Sequence, residues 1–446
     1  MPTLNPFIYG KPVSGAQHIN RHREQRTLFT RLRNGESTAI VGEPRIGKTS
    51  LLRCLASSSI QKEWLGAQAE GIIPVEIDFY QEWLSTDKTP QDFWKVVLDT
   101  VKLKVADETI RQQIGWVEEN DYGSATLANF FRNLARKDLR VVLLIDEFDA
   151  LLTHPNFSTA EFLGGLRSLA IQEGLQLITA SIMPVEAMNR RSEEYNPLGS
   201  PFFNHFIEVN LGPFSYKDVG LLLDTFLNGS GVQFDRTDRN FIVWLSGRHP
   251  FRMQAAGAAL FDAISDGLED EKRYAQTAEW FYERTKDHFS TLWRRYLTEA
   301  QKTVLVILGL VELSGVAQKR RFSFGEIERP QRFAPELLRL EKLGLVEKIG
   351  RGWQWDQEHL LLWQGERWRV ASNGFVGWLA NVVIGGARDI PDFEAWLHDK
   401  EKVGYFLTRK QIKLLGDLVK MMPQSVVSGA GALARQFVAE LLSNKG

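Results

Sequence analysis

The stretch VGEPRIGKTS, residues 41–50, constrains this chain more than any other. Gly42 and Gly47 stand five residues apart, and Lys48, Thr49 and Ser50 follow at once. The short apolar run STAI precedes the first glycine, and TSLLRCLASSS after the second has helical character. The pattern is therefore a strand, a glycine-bounded loop and a helix that opens directly on the loop. A loop of this kind can wrap a polyphosphate, because glycines let backbone N–H groups converge without side chains in the way. The helix start adds its positive end. Glu43, Pro44, Arg45 and Ile46 fill the loop between the glycines, Lys48 supplies a mobile cation for the outer phosphates, and Thr49 offers a hydroxyl to Mg²⁺.

A second stretch, VVLLIDEFDA, complements the first. Its apolar residues read as a strand through the centre of a sheet, with Asp146 and Glu147 emerging at the carboxyl end. In open α/β sheets that is the end where ligands bind. Asp146 is expected to hold the surroundings of the metal and Glu147 to act as general base on the attacking water. Asp149 is expected either to cap the next helix or to support the metal's surroundings.

Three further runs extend this pattern. IIPVEIDFY (72–80), LQLITASI (175–182) and HFIEVNL (205–211) join STAIVG and LRVVLLIDEFD as apolar strands separated by helical material. Strands apolar on both faces that alternate with helices predict an α/β fold with a parallel sheet between two layers of helices. From about residue 215 the pattern turns helical, with Ser215 as a start and Gly247 as a stop. TLWRRYLTEAQKTVLVILGLVE, FAPELLRLEKLGLVEKIG and RGWQWD then give helix, helix and hairpin, the order of a winged helix. VIGGARDIPD reads as a linker to a short helical block with Ile412, Leu415, Leu418 and Val419 at helical spacing. The expected domains are 1–213, the sheet domain; 214–290, a helical lid; 291–382, the winged helix; and 383–446, a helical module.

Bulk composition excludes several classes. At 446 residues the chain exceeds one ordinary core. A net charge of -1 gives no global field toward nucleic acid or an anionic membrane. The single cysteine, Cys54, rules out an intrachain disulfide framework and a cysteine-based zinc cluster. No run reaches about 18 apolar residues, so no membrane span is expected, and without a signal-like start the expected compartment is the cytoplasm.

The two phosphate-site motifs together resemble P-loop NTPases with an added catalytic glutamate, and more closely AAA-like ATPases of the STAND class. The segment NPFIYGKPV followed by HINRHREQRTLFTRL resembles the stretch before the phosphate loop in that family, where a Gly-Arg-Glu box is usual. ITAS resembles the strand with a polar sensor of the γ-phosphate, SPFFNHFIEVNLGPFS the approach to the lid, and GRHPFRMQ the His-Pro turn that opens a lid helix. The resemblance spans about residues 5 to 370. It implies ATP and Mg²⁺ as ligands and slow, regulatory hydrolysis. It implies Arg23 and Glu24 on the adenine side, with His22 where the family has glycine. It implies Thr179 and Ser181 at the sensor positions, without the arginine many members carry there. His249 and Pro250 match the lid turn.

Some roles stay open. Arg190 and Arg191, in MNRRSEEYNPLGSP, fit either a trans-acting arginine for a neighbour's site or local pairing with nearby acids. The winged helix, with Arg339 and Lys342 on its second helix, could grip DNA, but interrupting glutamates favour packing on its own chain. The last block resembles adaptor modules that recruit a protein effector, or else caps the winged helix. The expected output is ATP-dependent homo-oligomer assembly and effector recruitment in signalling or defence; the alternative is a DNA-associated ATPase.

Overall fold

The computed structural model describes residues 4–11, 21–80, 83, 85–171, 174–195, 202–318, 333–349, 352–355, 361–364 and 368–384. They divide into two compact units, one within Pro12–Leu211 and one made of the described parts of Met1–Lys11 and Gly212–Gly446.

The first unit is built on five parallel strands, β1 (Thr38–Gly42), β2 (Ile72–Asp78), β3 (Arg140–Asp146), β4 (Leu175–Ser181) and β5 (Ile207–Leu211). They lie in the order β2-β3-β4-β1-β5. All five runs expected from the sequence form strands; the central β1, β3 and β4 are buried on both sides along almost their whole length, whereas the edge strands expose Glu76 in β2 and Ile207 and Asn210 in β5. Alternation divides the central strands between two cores. Ala39, Val41, Leu143, Ile145, Leu175 and Leu177 face a cluster with Phe93, Phe130, Phe131 and Leu166. Ile40, Val142, Leu144, Ile178 and Ala180 face the other cluster, with Leu28, Phe29 and Leu32 of α1 (His22–Asn34) and Leu51, Leu52 and Leu55 of α2 (Lys48–Ala56). This is an α/β sheet of the P-loop type, with mainly helical structure after it.

The second unit starts as expected. Ser215 caps the helix Tyr216–Leu227 through a reciprocal capping box with Asp218. Gly247, at φ 64, ends the helix Arg236–Ser246. Two features differ from the expected domain map. Residues 4–11 belong to this unit rather than to the sheet: Phe7 stacks on Phe226 and Phe234, and Asn5 Nδ2 donates to Ala258 O and Asp262 Oδ1. Gly257 leaves the room that the Phe7 ring fills. The expected boundary at 290/291 falls inside a continuous run, since helix Asp270–Thr291 passes into a π-helical turn, Leu292–Tyr296. Helix Glu299–Gln318, helix Ala334–Leu343, the antiparallel pair β6 (Val346–Lys348) and β9 (Trp368–Val370), and the hairpin β7 (Gly352–Trp355) and β8 (Leu361–Gln364) follow. Of the expected module at 383–446, residues 385–446 lie outside the described residues, as do Lys319, Arg320 and Arg321.

Within this unit the helices Arg236–Ser246 and Pro250–Ser265 and the β6/β9 pair are joined tightly. Glu347 on β6 accepts from Arg248 Nη2 at 3.0 Å and from Arg369 Nε at 2.7 Å. Ser372 Oγ donates to Leu245 O at 2.7 Å. Gly374 has no room for a side chain against Phe281 and Leu245 O. Among the described residues no helix is long and apolar enough to cross a membrane.

The sheet yields a paired stability test. Gly174, at φ +99 on the entry to β4, would place a Cβ 2.1 Å from Phe131 O. Gly164 lies exposed in the helix Ala160–Ile171, where a Cβ meets nothing within 4 Å. Gly174→Ala should lower the melting temperature by at least about 4 °C, from a left-handed penalty of about 1–2 kcal/mol plus the clash. Gly164→Ala should leave it unchanged or raise it, since alanine gains about 0.5–1 kcal/mol over glycine in a helix. Thermal melts of the two variants check both signs.

Candidate functional site

The loop between β1 and α2 is held open by its own backbone. Gly42 ends β1 with no space for a side chain: a Cβ would lie 2.7 Å from Leu211 O and 2.9 Å from Ile46 Cγ2. Gly47 meets no such crowding; its φ of +105 is what demands glycine. Arg45 also sits at positive φ, 61°, with its side chain exposed. Ile46 is the loop's anchor, fully buried in the core with α1 and α2. Glu43 is buried, Pro44 half-buried and Ser50 buried on the first turn of α2.

Lys48 starts α2 and is 5% exposed. Its ammonium donates to Gly42 O at 3.0 Å and Glu43 O at 3.2 Å. Burial lowers its pKa; the nearby carboxylates of Glu147, Asp149, Asp146 and Glu43 oppose the shift without cancelling it. Thr49 Oγ1 donates to Asp146 Oδ2 at 2.5 Å. Asp146 Oδ1 accepts from the backbone N–H of Glu147 at 3.0 Å. The hydroxyl and the carboxylate thus converge at the mouth of the loop. Hard, adjacent oxygen donors of this kind suit Mg²⁺, which takes one or two carboxylates plus phosphate oxygens.

Glu147 follows in the left-handed region, φ 49 and ψ 46. A non-glycine residue held there at a strand end marks a site where geometry has been favoured over backbone ease. Burial raises its pKa, and Lys48 pulls the other way. Asp149 braces a turn rather than capping a helix. Its carboxylate accepts from Ile182 N at 2.7 Å and Met183 N at 3.2 Å, bracing the turn that follows β4.

The remaining expected residues divide by environment. Ser181 is buried and its hydroxyl donates to Met183 O at 2.8 Å, so it closes the same turn. Thr179 is buried on the same face of β4. Arg190 is exposed and pairs with Glu186 at 3.5 Å, the local pairing alternative. Arg191 is half-buried, and its charge favours the ionised form of Asp149. His249 and Pro250 open the helix Pro250–Ser265 of the other unit, with proline at its first turn as the turn motif predicts. Arg23 is exposed on α1. The arginine of that segment that reaches the loop is Arg21, buried, with Nη2 donating to Ile46 O at 3.1 Å. The helix starts from Arg21 in the left-handed region, φ 66, which turns its side chain to the loop and leaves Arg23 on the outer face.

One acid was overlooked in the sequence. Asp78 ends β2 directly opposite Asp146 in the register of β2 and β3. Its charge is among those that raise the pKa of Glu147. The signal was present, since VEID ends in an acid at the same strand position as LLID.

Residues 31–182 match the model of a family described as an AAA domain. That stretch contains β1 to β4, the loop 42–50 and the acids Asp146 and Glu147. No curated protein matches. Among solved structures, the Walker-type ATPase of Pyrococcus abyssi is similar at 15% identity and TM-score 0.49, over 82% of this chain and 97% of that one. The ORC2 protein of Aeropyrum pernix, in ADPNP-ADP complexes, gives 12% identity and TM-score 0.46, over 93% and 97%. The Thermotoga maritima RuvB Holliday junction branch migration motor gives 13% and 0.35, over 77% and 95%. At these identities and scores the likenesses say nothing of what this chain binds.

The buried ammonium gives a test with opposite signs. A lysine whose folded pKa lies below its ordinary 10.5 costs stability while both states are protonated. That cost fades as pH rises from the lowered folded value toward 10.5. Lys48→Met should therefore raise the melting temperature of nucleotide-free protein at pH 7, with a gain that shrinks toward pH 10.5. The same variant should lose about 10- to 100-fold in ATP affinity, the value of a hydrogen-bonded charge. Melts across pH and calorimetry with ATP check the two halves.

Proposed function

We propose that this chain is a regulatory ATPase that binds Mg-ATP through the loop 42–50 and hydrolyses it slowly. What supports this most is the convergence of Lys48, Thr49 and Asp146 at one mouth, with Thr49 bonded to Asp146 at 2.5 Å. An acidic strand end alone is common; an acid bonded to the hydroxyl next to the loop lysine is a paired arrangement that phosphate and a divalent cation together require.

In this reading the backbone of residues 42–47 and the start of α2 cradle the β- and γ-phosphates. Lys48 leaves its two loop carbonyls for phosphate oxygens. Thr49 and Asp146 would hold Mg²⁺, which supplies charge neutralisation on the phosphates. Glu147 takes a proton from a water molecule as its oxygen attacks the γ-phosphorus. The bond to the bridging oxygen breaks, ADP leaves with the electron pair, and the proton passes from Glu147 to solvent. Asp149 and Ser181 hold the adjoining turn in place. Arg190 or Arg191 from a neighbouring copy would complete the site on assembly.

The wider role follows the STAND resemblance: nucleotide state controls homo-oligomer assembly and recruitment of a protein effector. A second reading, a DNA-associated ATPase, has its own support. Arg339 and Lys342 stand exposed on the helix Ala334–Leu343, without an ion-pair partner among the described residues. That helix with β6 and β9 supports the winged-helix reading. A salt-sensitive shift of random duplex DNA, lost when Lys319, Arg320, Arg321 and Arg339 are neutralised together, would favour the second reading.

Glu147→Gln should keep ATP binding and lower phosphate release about 10²- to 10⁴-fold. Wild-type turnover should fall on its acidic side at a pH above 4.5, the ordinary value of the carboxyl, because the base must be ionised and burial raises its pKa. An unchanged release rate in Glu147→Gln would point to an inert nucleotide switch. Light scattering should show a larger mass with a non-hydrolysable ATP analogue than with ADP; equal masses would remove the assembly role.

A further inference from the structure

We propose that Arg21 is a positioning residue that sets the phosphate loop for its ligand; this rests on the nucleotide-binding reading of that loop. The argument starts from peptide geometry. A trans peptide is planar, so its C=O and the next N–H point in opposite directions. Arg21 Nη2 donates to the carbonyl of Ile46 at 3.1 Å. That bond turns the oxygen outward toward the start of α1. The N–H of Gly47, in the same plane, is thereby turned the other way, toward the inside of the loop.

Ile46 is held at three points. Its side chain is buried among Leu28, Leu51 and Leu211. Its N–H donates to Glu43 O at 3.2 Å. Its carbonyl is taken by Arg21. The residues on either side, Arg45 at φ 61 and Gly47 at φ +105, are both in the left-handed region. Such backbone reverses readily to a commoner shape unless something fixes it. The Arg21 bond is one of the fixings, and it comes from outside the loop.

Arg21 is itself constrained for this work. It is 6% exposed and stands at φ 66, a costly conformation for a residue with a Cβ. Its carbonyl accepts from Gln25 N at 2.7 Å and so begins α1. Its second guanidinium nitrogen pairs with Glu24 Oε1 at 3.4 Å. A planar fork can serve a carbonyl and a carboxylate at once; an ammonium on a flexible stem cannot hold both directions. Glu24 therefore orients Arg21, and Arg21 orients the loop.

The test uses the full chain with Arg21→Met, Arg21→Lys and, as control, Arg26→Ala on the exposed face of the same helix. Wild-type ATP binding is measured first by calorimetry with Mg²⁺. Arg21→Met should weaken ATP and ADP alike by about 10- to 100-fold, as loss of a charged hydrogen bond predicts. The loss should fall on KM, with kcat within about threefold, because Arg21 touches the loop and not the reacting atoms. Arg21→Lys should recover part of the affinity. In nucleotide-free protein, hydrogen exchange of the peptide spanning 42–50 should quicken in Arg21→Met and stay unchanged in Arg26→Ala. Wild-type affinity and wild-type exchange in a folded Arg21→Met would overturn the proposal while leaving ATP binding intact. No ATP binding by the wild type would overturn the parent reading and this one with it. If Arg21→Met does not fold, Arg21→Lys decides: a KM equal to wild type overturns the proposal, and a raised KM at unchanged kcat supports it.

Discussion

The site depends on one hydrogen bond across the sheet, from Thr49 Oγ1 to Asp146 Oδ2. Thr49 is on the first turn of α2, which follows β1, and Asp146 ends β3. β4 lies between those strands, so the two groups come from backbones roughly 10 Å apart in the sheet, at 4.7–4.9 Å per strand. Helix α2 closes that gap by packing Leu51, Leu52 and Leu55 over Val142 and Leu144. The alternation of β3 then sends Asp146 to the face of α2, since it shares parity with Val142 and Leu144. Chemistry at the mouth is thus a consequence of apolar packing beneath it.

The second unit follows a different logic. It is mostly helical, and its helices are tied to the β6/β9 pair by close backbone approach as much as by charge. Gly247 lies against Ala371 O and Ser372, and Gly344 against Pro213. Arg248, in the left-handed region, reaches Glu347 from the residue just before the His249–Pro250 turn. The clamp is half-exposed, so its Coulomb energy is modest. Its value lies in direction: one carboxylate with two oxygens fixes two arginines from separate elements. The His-Pro turn and the β6/β9 pair are thereby parts of one packed body.

Much of this was legible in the sequence, and the reasons differ by element. The five strands could be read because a parallel sheet covered on both faces leaves continuous apolar runs, such as VVLLI in β3. The loop residues could be read because their chemistry is local: glycines at 42 and 47, the cation at 48 and the hydroxyl at 49 adjoin each other. Ser215 and Gly247 were legible as helix ends for the same reason. What escaped were contacts between segments far apart. Arg21 gave no sign that it would reach the loop, because the helix begins from its left-handed backbone, and only that angle turns its side chain inward. Asp149 looked like a cap for its own helix, while its partners, Ile182 and Met183, lie more than thirty residues on. Phe7 gave no sign that it would stack on Phe226 and Phe234 of the helical unit rather than join the sheet.

The polar groups at the end of β4 show how a site can be rigid and still chemically poised. Ser181 and Asp149 are committed to the turn at Met183, one as donor to its carbonyl and the other as acceptor from its N–H. With both ends of that residue fixed, the turn cannot drift toward the acids of β3. Its neighbours on the other side are fixed too, by the register of Asp78 against Asp146. Glu147 is left between two braced strand ends, in a strained backbone, with burial disfavouring its charge and Lys48 favouring it. In the proposed reading Glu147 is the base, and a base must be held near a water molecule yet remain able to take and release a proton. Bracing both neighbouring strand ends, while burial and the Lys48 charge pull in opposite directions on Glu147, would meet both demands with the same few residues.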